Sequence, residues 1–363
     1  PVVRCIQQYF TAEKLSTYPN VDAVIAVTID TGCSMAEDGF DHHNLRRTIR
    51  NLAKHPNFAA CLVVGLGCEV NQMAEVLEPM EVPLLVVQEV GGSKPAIQQG
   101  IDWVKSQLDA ANKCQRTPQP LSKLTLALQC GGSDAFSGIT GNPLLGEIAD
   151  RVVLQGGTAV IAETTEIFGA EQLLLQRCAT SETREKLQSI LRWWQDYTAR
   201  LDISVDNNPS PGNKKGGLTT IFEKSLGAIS KCGHLPLEDV LMYGESAAGG
   251  VCFMDSPGND VSSLTGQLAS GCNLALFTTG RGSTFATGIA PCLKVATNST
   301  LYERMPGDMD FNAGKILEGT SMESAADELL GLIIETASGA WTKSDPYVQE
   351  IAELVPWRSG ATL

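Results

Sequence analysis

Long apolar runs, positive charge, histidine and the common catalytic fingerprints are all scarce in this chain, and each scarcity removes a class of function. No stretch of the 363 residues approaches the roughly 20 consecutive apolar residues that cross a bilayer. Pro1 to Phe10 also lacks a signal-peptide pattern, so no membrane enters the reading and a reducing cytoplasm is the expected compartment. Lys and Arg number 27 against 41 Asp and Glu, a net charge of -14, which repels nucleic acid on average. The four His follow no zincin pattern; His42 and His43 stand beside acids at the start of a helix, where surface or capping roles suffice. There is no GxxxxGK[ST], no GxSxG, and no GxGxxG placed after a strand. P-loop, nucleophile-elbow and dinucleotide chemistry therefore find no support.

What the chain does have is 43% hydrophobic and only 19% charged residues, the balance of a globular protein long enough for two domains. It also has 11 cysteines, above average but far below the density of a disulfide scaffold, and no CxxC pair among them. Cys5, Cys61, Cys178 and Cys252 sit in apolar or mixed runs and read as packing. Cys33, Cys68 and Cys130 differ, because each follows an apolar run and lies in a Gly-rich turn.

Val21 to Thr28 (VDAVIAVT), Ala59 to Val64 and Pro83 to Val87 are short apolar runs with little alternation, as expected of strands buried on both faces. Helical spacing in Asn44 to Lys54 and from about Lys94 to Ala110 falls between or after them. Residues 111 to 122 are polar, hold two prolines and mark a domain boundary. Beyond it, Leu124 to Leu128, Gly157 to Ala162, Gly250 to Met254 and Leu274 to Thr279 read as strands. Asn142 to Leu154, Ser181 to Leu201, Thr220 to Lys231 and Ser321 to Thr336 read as helices. The fold class implied is α/β: two Rossmann-like units, 1–115 and 122–363, with mainly parallel sheets flanked by helices.

Ligands of open parallel sheets bind beyond the carboxyl ends of the strands. Cys33, Cys68 and Cys130 stand there, and three thiolates would suit an iron-sulfur cluster, Zn or Cu(I), with one position left open for substrate. A small buried Cys also suits a tight strand end, so packing stays open. The carboxylates Glu69, Asp134, Glu163 and Glu166 occupy the same kind of position, as divalent-ion ligands, general bases, or merely caps and strand ends. The loop Asn207 to Gly217 runs through Lys214 and Lys215 into a helix and resembles an anion cradle, though a solvated basic loop has the same composition. Thr278, Thr279 and Arg281 follow another strand with hydroxyls and a guanidinium fork for a carboxylate, and Thr297 and Asn298 stand near enough in the chain to add to them.

Several motifs are shared, in order, with one family: Gly65-Leu66-Gly67-Cys68-Glu69-Val70-Asn71-Gln72, Gln129 to Thr140 (QCGGSDAFSGIT), Glu163-Thr164-Thr165-Glu166, Pro211 to Leu218 (PGNKKGGL), Thr278 to Gly282 (TTGRG) and Met309 to Gly314 (MDFNAG). Over nearly its whole length the chain resembles the altronate/galactarate dehydratases. The resemblance implies removal of water from a sugar acid, leaving a 2-keto-3-deoxy acid, with iron (Fe2+ or an iron-sulfur cluster), Mn2+ or another divalent metal as cofactor. Where family members carry a segment like HGTGCG, this chain reads Ile29-Asp30-Thr31-Gly32-Cys33-Ser34, so no histidine role transfers there. The family's small β-rich N-terminal domain is not in this sequence, which opens without Met; the expectation is a truncated chain, or that domain as a separate subunit. The latter arrangement resembles (2R)-sulfolactate sulfo-lyase, which eliminates sulfite from sulfolactate.

The site expected on these grounds has Cys33, Cys68 and Cys130 as metal ligands. Glu163, Glu166, Asp134 and Lys214 are the catalytic candidates, and Ser133, Lys215, Thr278, Thr279 and Arg281 bind the substrate. A homo-oligomer is the expected assembly. The alternatives are a metal-binding subunit inactive by itself and a generic nucleotide-binding enzyme, the latter disfavoured by the missing phosphate motifs.

Overall fold

The computed structural model describes residues 1–29, 31–33, 35–204, 208–348 and 354–360. Asp30 and Ser34 of the first cysteine loop, and Asn207 at the head of the lysine loop, lie outside the described residues.

The first unit contains a two-stranded parallel sheet, β1 (Val63–Gly65) beside β2 (Leu84–Val86). Helices Phe40–Leu52 and Ser93–Asn112 accompany it. Ala59 to Val64 and Pro83 to Val87 thus become strands over shorter spans than their apolar runs. Val21 to Thr28 does not become one: only Thr28 makes an isolated bridge. Val21 to Val27 instead borders a crevice of about 660 Å³ together with Ala59 to Leu62 and Val64. The run has the composition of a buried strand, but among the described residues only Thr28 joins a bridge.

The second unit carries a seven-stranded, wholly parallel sheet. In chain order its strands are β3 (Thr125–Cys130), β4 (Thr158–Ile161), β5 (Leu237–Leu241), β6 (Gly250–Met254), β7 (Leu274–Thr279), β8 (Cys292–Ala296) and β9 (Phe311–Asn312). In space they run β5-β6-β4-β3-β7-β8-β9, every pair parallel. Such a sheet must be covered on both faces, which is why β3, β4, β6 and β7 are apolar and almost fully buried rather than alternating. Helix Gly141–Leu154 packs on β3, β4, β6 and β7, and helix Asp260–Ala269 packs on β3. Gln129 points to the latter, bonding Ser263 and Gln267 at 2.6 Å each. Thr278 bonds Asn142 of the former.

The order reverses at β3. The chain winds from β3 through β4 to β5 and β6 on one side, then returns to lay β7 on the other. The carboxyl ends of β3 and β7 are thus the switch point of the sheet, where ligands of such folds bind, and the two loops are tied there, Gly131 N–H donating to the Thr278 carbonyl at 3.0 Å and Arg281 N–H to that of Gly132 at 2.9 Å. The two units meet through helix Phe40–Leu52, which packs on helix Asp260–Ala269. Arg47 donates to the Tyr243 carbonyl at 2.8 Å and Asn51 to that of Gly244 at 2.8 Å.

Candidate functional site

β3 ends at Cys130 and β4 runs out two residues before Glu163, so a parallel ladder sets these two residues side by side. A one-turn helix, Thr164–Glu166, then folds Glu166 back over the same place. The Cys130 sulfur and one oxygen each of Glu163 and Glu166 lie within 4.8 Å of one another, all buried. Among the described residues this is the group placed to hold a metal ion. Cys33 and Cys68 lie outside it, and both are exposed. Their loops adjoin, Asn71 N–H donating to the Gly32 carbonyl at 3.1 Å. The Cys68 sulfur accepts from Gln88 at 3.2 Å. Glu69 folds back on its own turn, accepting from Leu66 N–H at 2.9 Å and Gly67 N–H at 2.5 Å.

Two lysines complete the buried group, and neither was among the residues expected from sequence. Lys231 donates to the Cys130 sulfur at 3.0 Å. Lys224 forms an ion pair with Glu166 and donates to Asn208 Oδ1 at 2.8 Å. Asn208 in turn donates to Glu166 at 3.2 Å. Lys224 lies on helix Ile221–Ile229, whose buried positions include Ile221, Lys224, Ser225 and Ala228. A lysine in the i, i+3, i+4, i+7 apolar stripe of a helix is a readable sign of a buried cation. Lys231, seven residues on, follows on the next turn and is 1% exposed.

Charge settles unevenly over this group. Burial, then the Glu166 charge, raise the Glu163 carboxyl well above the usual carboxylate range. Both its oxygens are buried without a hydrogen-bond donor. Burial pushes Glu166 the same way, but Lys224 and Lys231 together outweigh it and hold this carboxyl below its ordinary value. Burial lifts the Cys130 thiol to about 11 against the pull of Lys231. Both lysines keep raised values despite burial, because Glu166 and Cys130 face Lys224, and Cys130 and the two glutamates face Lys231. Asp260, whose carboxylate crowds Gly131, is raised to about 6 by burial and Glu166. The arrangement is a carboxyl pushed up beside one held down, with two lysines against the buried group.

Around it the loops are drawn together by Asp134. Its Oδ1 accepts from Ser137 Oγ at 2.9 Å, Phe136 N–H at 3.2 Å and Thr297 Oγ1 at 2.9 Å; its Oδ2 accepts from Asn298 at 2.9 Å. These bonds engage both oxygens of the carboxylate and tie the loop after β3 to that after β8. Gly280 has to be glycine, because a Cβ there would sit 2.0 Å from the Asp134 carboxyl carbon. Ser133 is buried beside it, and its carbonyl accepts from Asn213 at 2.9 Å. That contact docks the short helix Pro211–Lys215 on this loop and leaves Lys214 and Lys215 exposed. Arg281 is exposed on the adjoining turn. Thr278 and Thr279 are buried: Thr278 bonds Asn142, and Thr279 Oγ1 accepts from Gly282 N–H at 3.0 Å. The structure thus gathers Cys130, Glu163 and Glu166 in an inner group and places Ser133, Asp134 and Arg281 on the loops after β3 and β7, Thr278 and Thr279 at the end of β7 itself, and Lys214 and Lys215 on the helix docked against Ser133.

The family described as D-galactarate/altronate dehydratase, C-terminal, matches residues 121–362, and D-galactarate dehydratase/altronate hydrolase, second domain, matches residues 1–112. The altronate dehydratase of Bacillus subtilis (strain 168) is 39% identical over all of this chain and 74% of its own length. That of Escherichia coli (strain K12) is 38% identical over all of this chain and 73% of its own. The (2R)-sulfolactate sulfo-lyase subunit beta of Chromohalobacter salexigens is 32% identical over 82% of this chain and 79% of its own length. The dehydratases among these relatives are hydro-lyases.

Proposed function

Because the chain belongs to the D-galactarate/altronate dehydratase family, we propose that it removes water from a sugar acid such as altronate or galactarate by β-elimination, leaving a 2-keto-3-deoxy acid. The observation that carries this reading is the buried group of Cys130, Glu163 and Glu166 beside Lys224 and Lys231 at the carboxyl ends of β3 and β4. One thiol and two carboxylates form a mixed donor set that suits a single Fe2+ or Mn2+ ion, whereas an iron-sulfur cluster calls for several thiolates in one place. The donorless oxygens of Glu163 fit such an ion. When bound, it supplies Lewis acidity toward the departing hydroxyl and the charge that develops on the substrate.

The chain's own residues do the rest. Lys224 and Lys231 remain cationic and offset the negative charge that grows as the proton α to the carboxylate leaves. Of the two glutamates, Glu163, raised by burial and by the Glu166 charge, would give up its proton on taking up the ion, while Lys224 and Lys231 hold Glu166 below its ordinary value. Lys214 and Lys215, exposed on the helix docked at Ser133, and Arg281, exposed after β7, bind the substrate carboxylate and hydroxyls. The likeness to a sulfo-lyase subunit supports a second reading, in which the same elimination expels sulfite from sulfolactate and a further subunit is required.

The test is to prepare the chain anaerobically with Fe2+ or Mn2+ and assay altronate, galactarate and sulfolactate. Keto acid from a sugar acid supports dehydration, and sulfite from sulfolactate supports the second reading. Bound metal with no turnover of any of the three refutes both for this chain alone.

A further inference from the structure

Glu163 is held in a conformation that a glutamate does not favour. Its φ of 75° lies in the left-handed region, where a non-glycine residue persists only if its surroundings over-determine it. They do so here. Glu163 N–H donates to Ser256 Oγ and Thr164 N–H to the Ser256 carbonyl, each at 2.9 Å. Thr164 Oγ1 donates to Asp255 Oδ1 at 2.6 Å, and the same oxygen accepts the Trp194 indole N–H at 2.8 Å. Asp255 N–H is tied to the Leu241 carbonyl at 2.8 Å, so this carboxylate is fixed at both its backbone and its side chain.

Thr164, Asp255, Ser256 and Trp194 are all at most 2% exposed. A carboxylate in such a place is weak as packing, because desolvation opposes it. What it gains is two directed bonds on one oxygen, one reaching the turn that carries Glu163 and the other an indole that cannot move. Trp194 is itself clamped, stacked on Trp357 with ring centroids 5.2 Å apart and planes 2° from parallel. The first unit reaches the same place: Phe40 meets Trp357 edge to face at 4.9 Å, and Asp41 accepts from Ser359 N–H at 2.7 Å.

We propose that Asp255 is a positioning residue. Through Thr164, and with Ser256, it locks the turn at Glu163 and so aims this glutamate at Cys130 and Glu166, and Trp194 holds Asp255 in place. The inference rests on the reading of Cys130, Glu163 and Glu166 as ligands of a divalent ion. None of Asp255, Thr164 or Trp194 belongs to the ligand group, so their effect passes through the turn that carries Glu163 and Glu166.

The experiment titrates Mn2+ into the full chain, followed by electron paramagnetic resonance of the free ion. In parallel, kcat and KM for altronate are measured in the wild type, Thr164→Val, Thr164→Ser and Trp194→Phe. Thr164→Val keeps the branched shape but loses the hydroxyl. It is expected to raise the apparent Kd for Mn2+ by about 10- to 100-fold, the range found when an outer hydrogen bond to a metal ligand is removed, and to lower kcat with KM nearly unchanged. Thr164→Ser restores most of the affinity, and Trp194→Phe, which keeps the stacking but not the donor, falls between. Wild-type Mn2+ affinity in Thr164→Val overturns the inference alone. If that variant does not fold, wild-type affinity in Trp194→Phe overturns it equally. A wild type that binds no Mn2+ overturns the ligand reading and the inference with it.

Discussion

Cys68 and Cys130 share one sequence signature and have opposite surroundings. Each follows an apolar strand and stands next to glycines, yet Cys68 is exposed with a glutamine amide at its sulfur, whereas Cys130 is buried against a lysine and two glutamates. The strand-end pattern fixes where a thiol lies along the sheet. What it can do there is decided by elements distant in sequence, in this case the helix that brings Lys224 and Lys231 and the turn that brings Glu166. Three similar loops are therefore unequal, and the second unit, with its seven-stranded sheet and topological reversal, is the one that concentrates charge.

The widest separation between the two cysteines should come from turnover. Replacing Cys130 by Ala or Glu166 by Gln is expected to lower kcat with altronate by about 10³-fold, as loss of a group acting on developing charge does, while Cys68→Ser stays near the wild type. Steady-state kinetics on metal-loaded protein decide this, and a large loss in Cys68→Ser would break the comparison. Next in size is the division between inner and outer cations. Lys231→Met removes a buried counter-charge and is expected to lower kcat by about 10²-fold. Lys214→Ala, on an exposed loop, should mainly raise KM by about tenfold with kcat little changed.

Two smaller effects sharpen the contrast of environments. A thiol reagent at neutral pH should modify Cys33 and Cys68 in the native chain well before Cys130, whose thiol is buried and pushed up to about 11. Mass mapping over time would show the order, and early loss of Cys130 would contradict the buried description. Asp255 provides the pH test. Burial raises its carboxyl from 3.8 to about 6, so the folded chain binds the proton more tightly than the unfolded one. Its contribution favours folding at low pH and is lost as pH rises from about 4 to 6, by on the order of 3 kcal/mol. Asp255→Asn, which keeps the accepting oxygen, should flatten that part of the stability-pH curve in chemical denaturation.

Much of the second unit was readable because its central strands, β3, β4, β6 and β7, are buried on both faces and so appear as unbroken apolar runs. β5 was not, since Glu238 and Asp239 interrupt an edge strand. β8 hides behind Lys294, a charged residue that is fully buried. Val21 to Thr28 shows the opposite failure, an apolar run that borders a crevice and, Thr28 apart, forms no ladder. At the site, Cys130, Glu163 and Glu166 could be singled out from strand ends alone. The lysines facing them were overlooked because a lysine in a helix normally reads as surface, although the apolar spacing around Lys224 marked it. Asp255 and Asp260 carry no signal in the sequence, and only the folded sheet sets the first behind Glu163 and the second beside Gly131.

The most direct test of this account is metal content, measured anaerobically on wild type, Cys130→Ala and Cys68→Ser after loading with Fe2+ and removal of excess. The account predicts about one iron per chain without acid-labile sulfide in the wild type and in Cys68→Ser, and loss of that iron in Cys130→Ala. Iron retained in Cys130→Ala but lost in Cys68→Ser, or iron accompanied by sulfide, would contradict it.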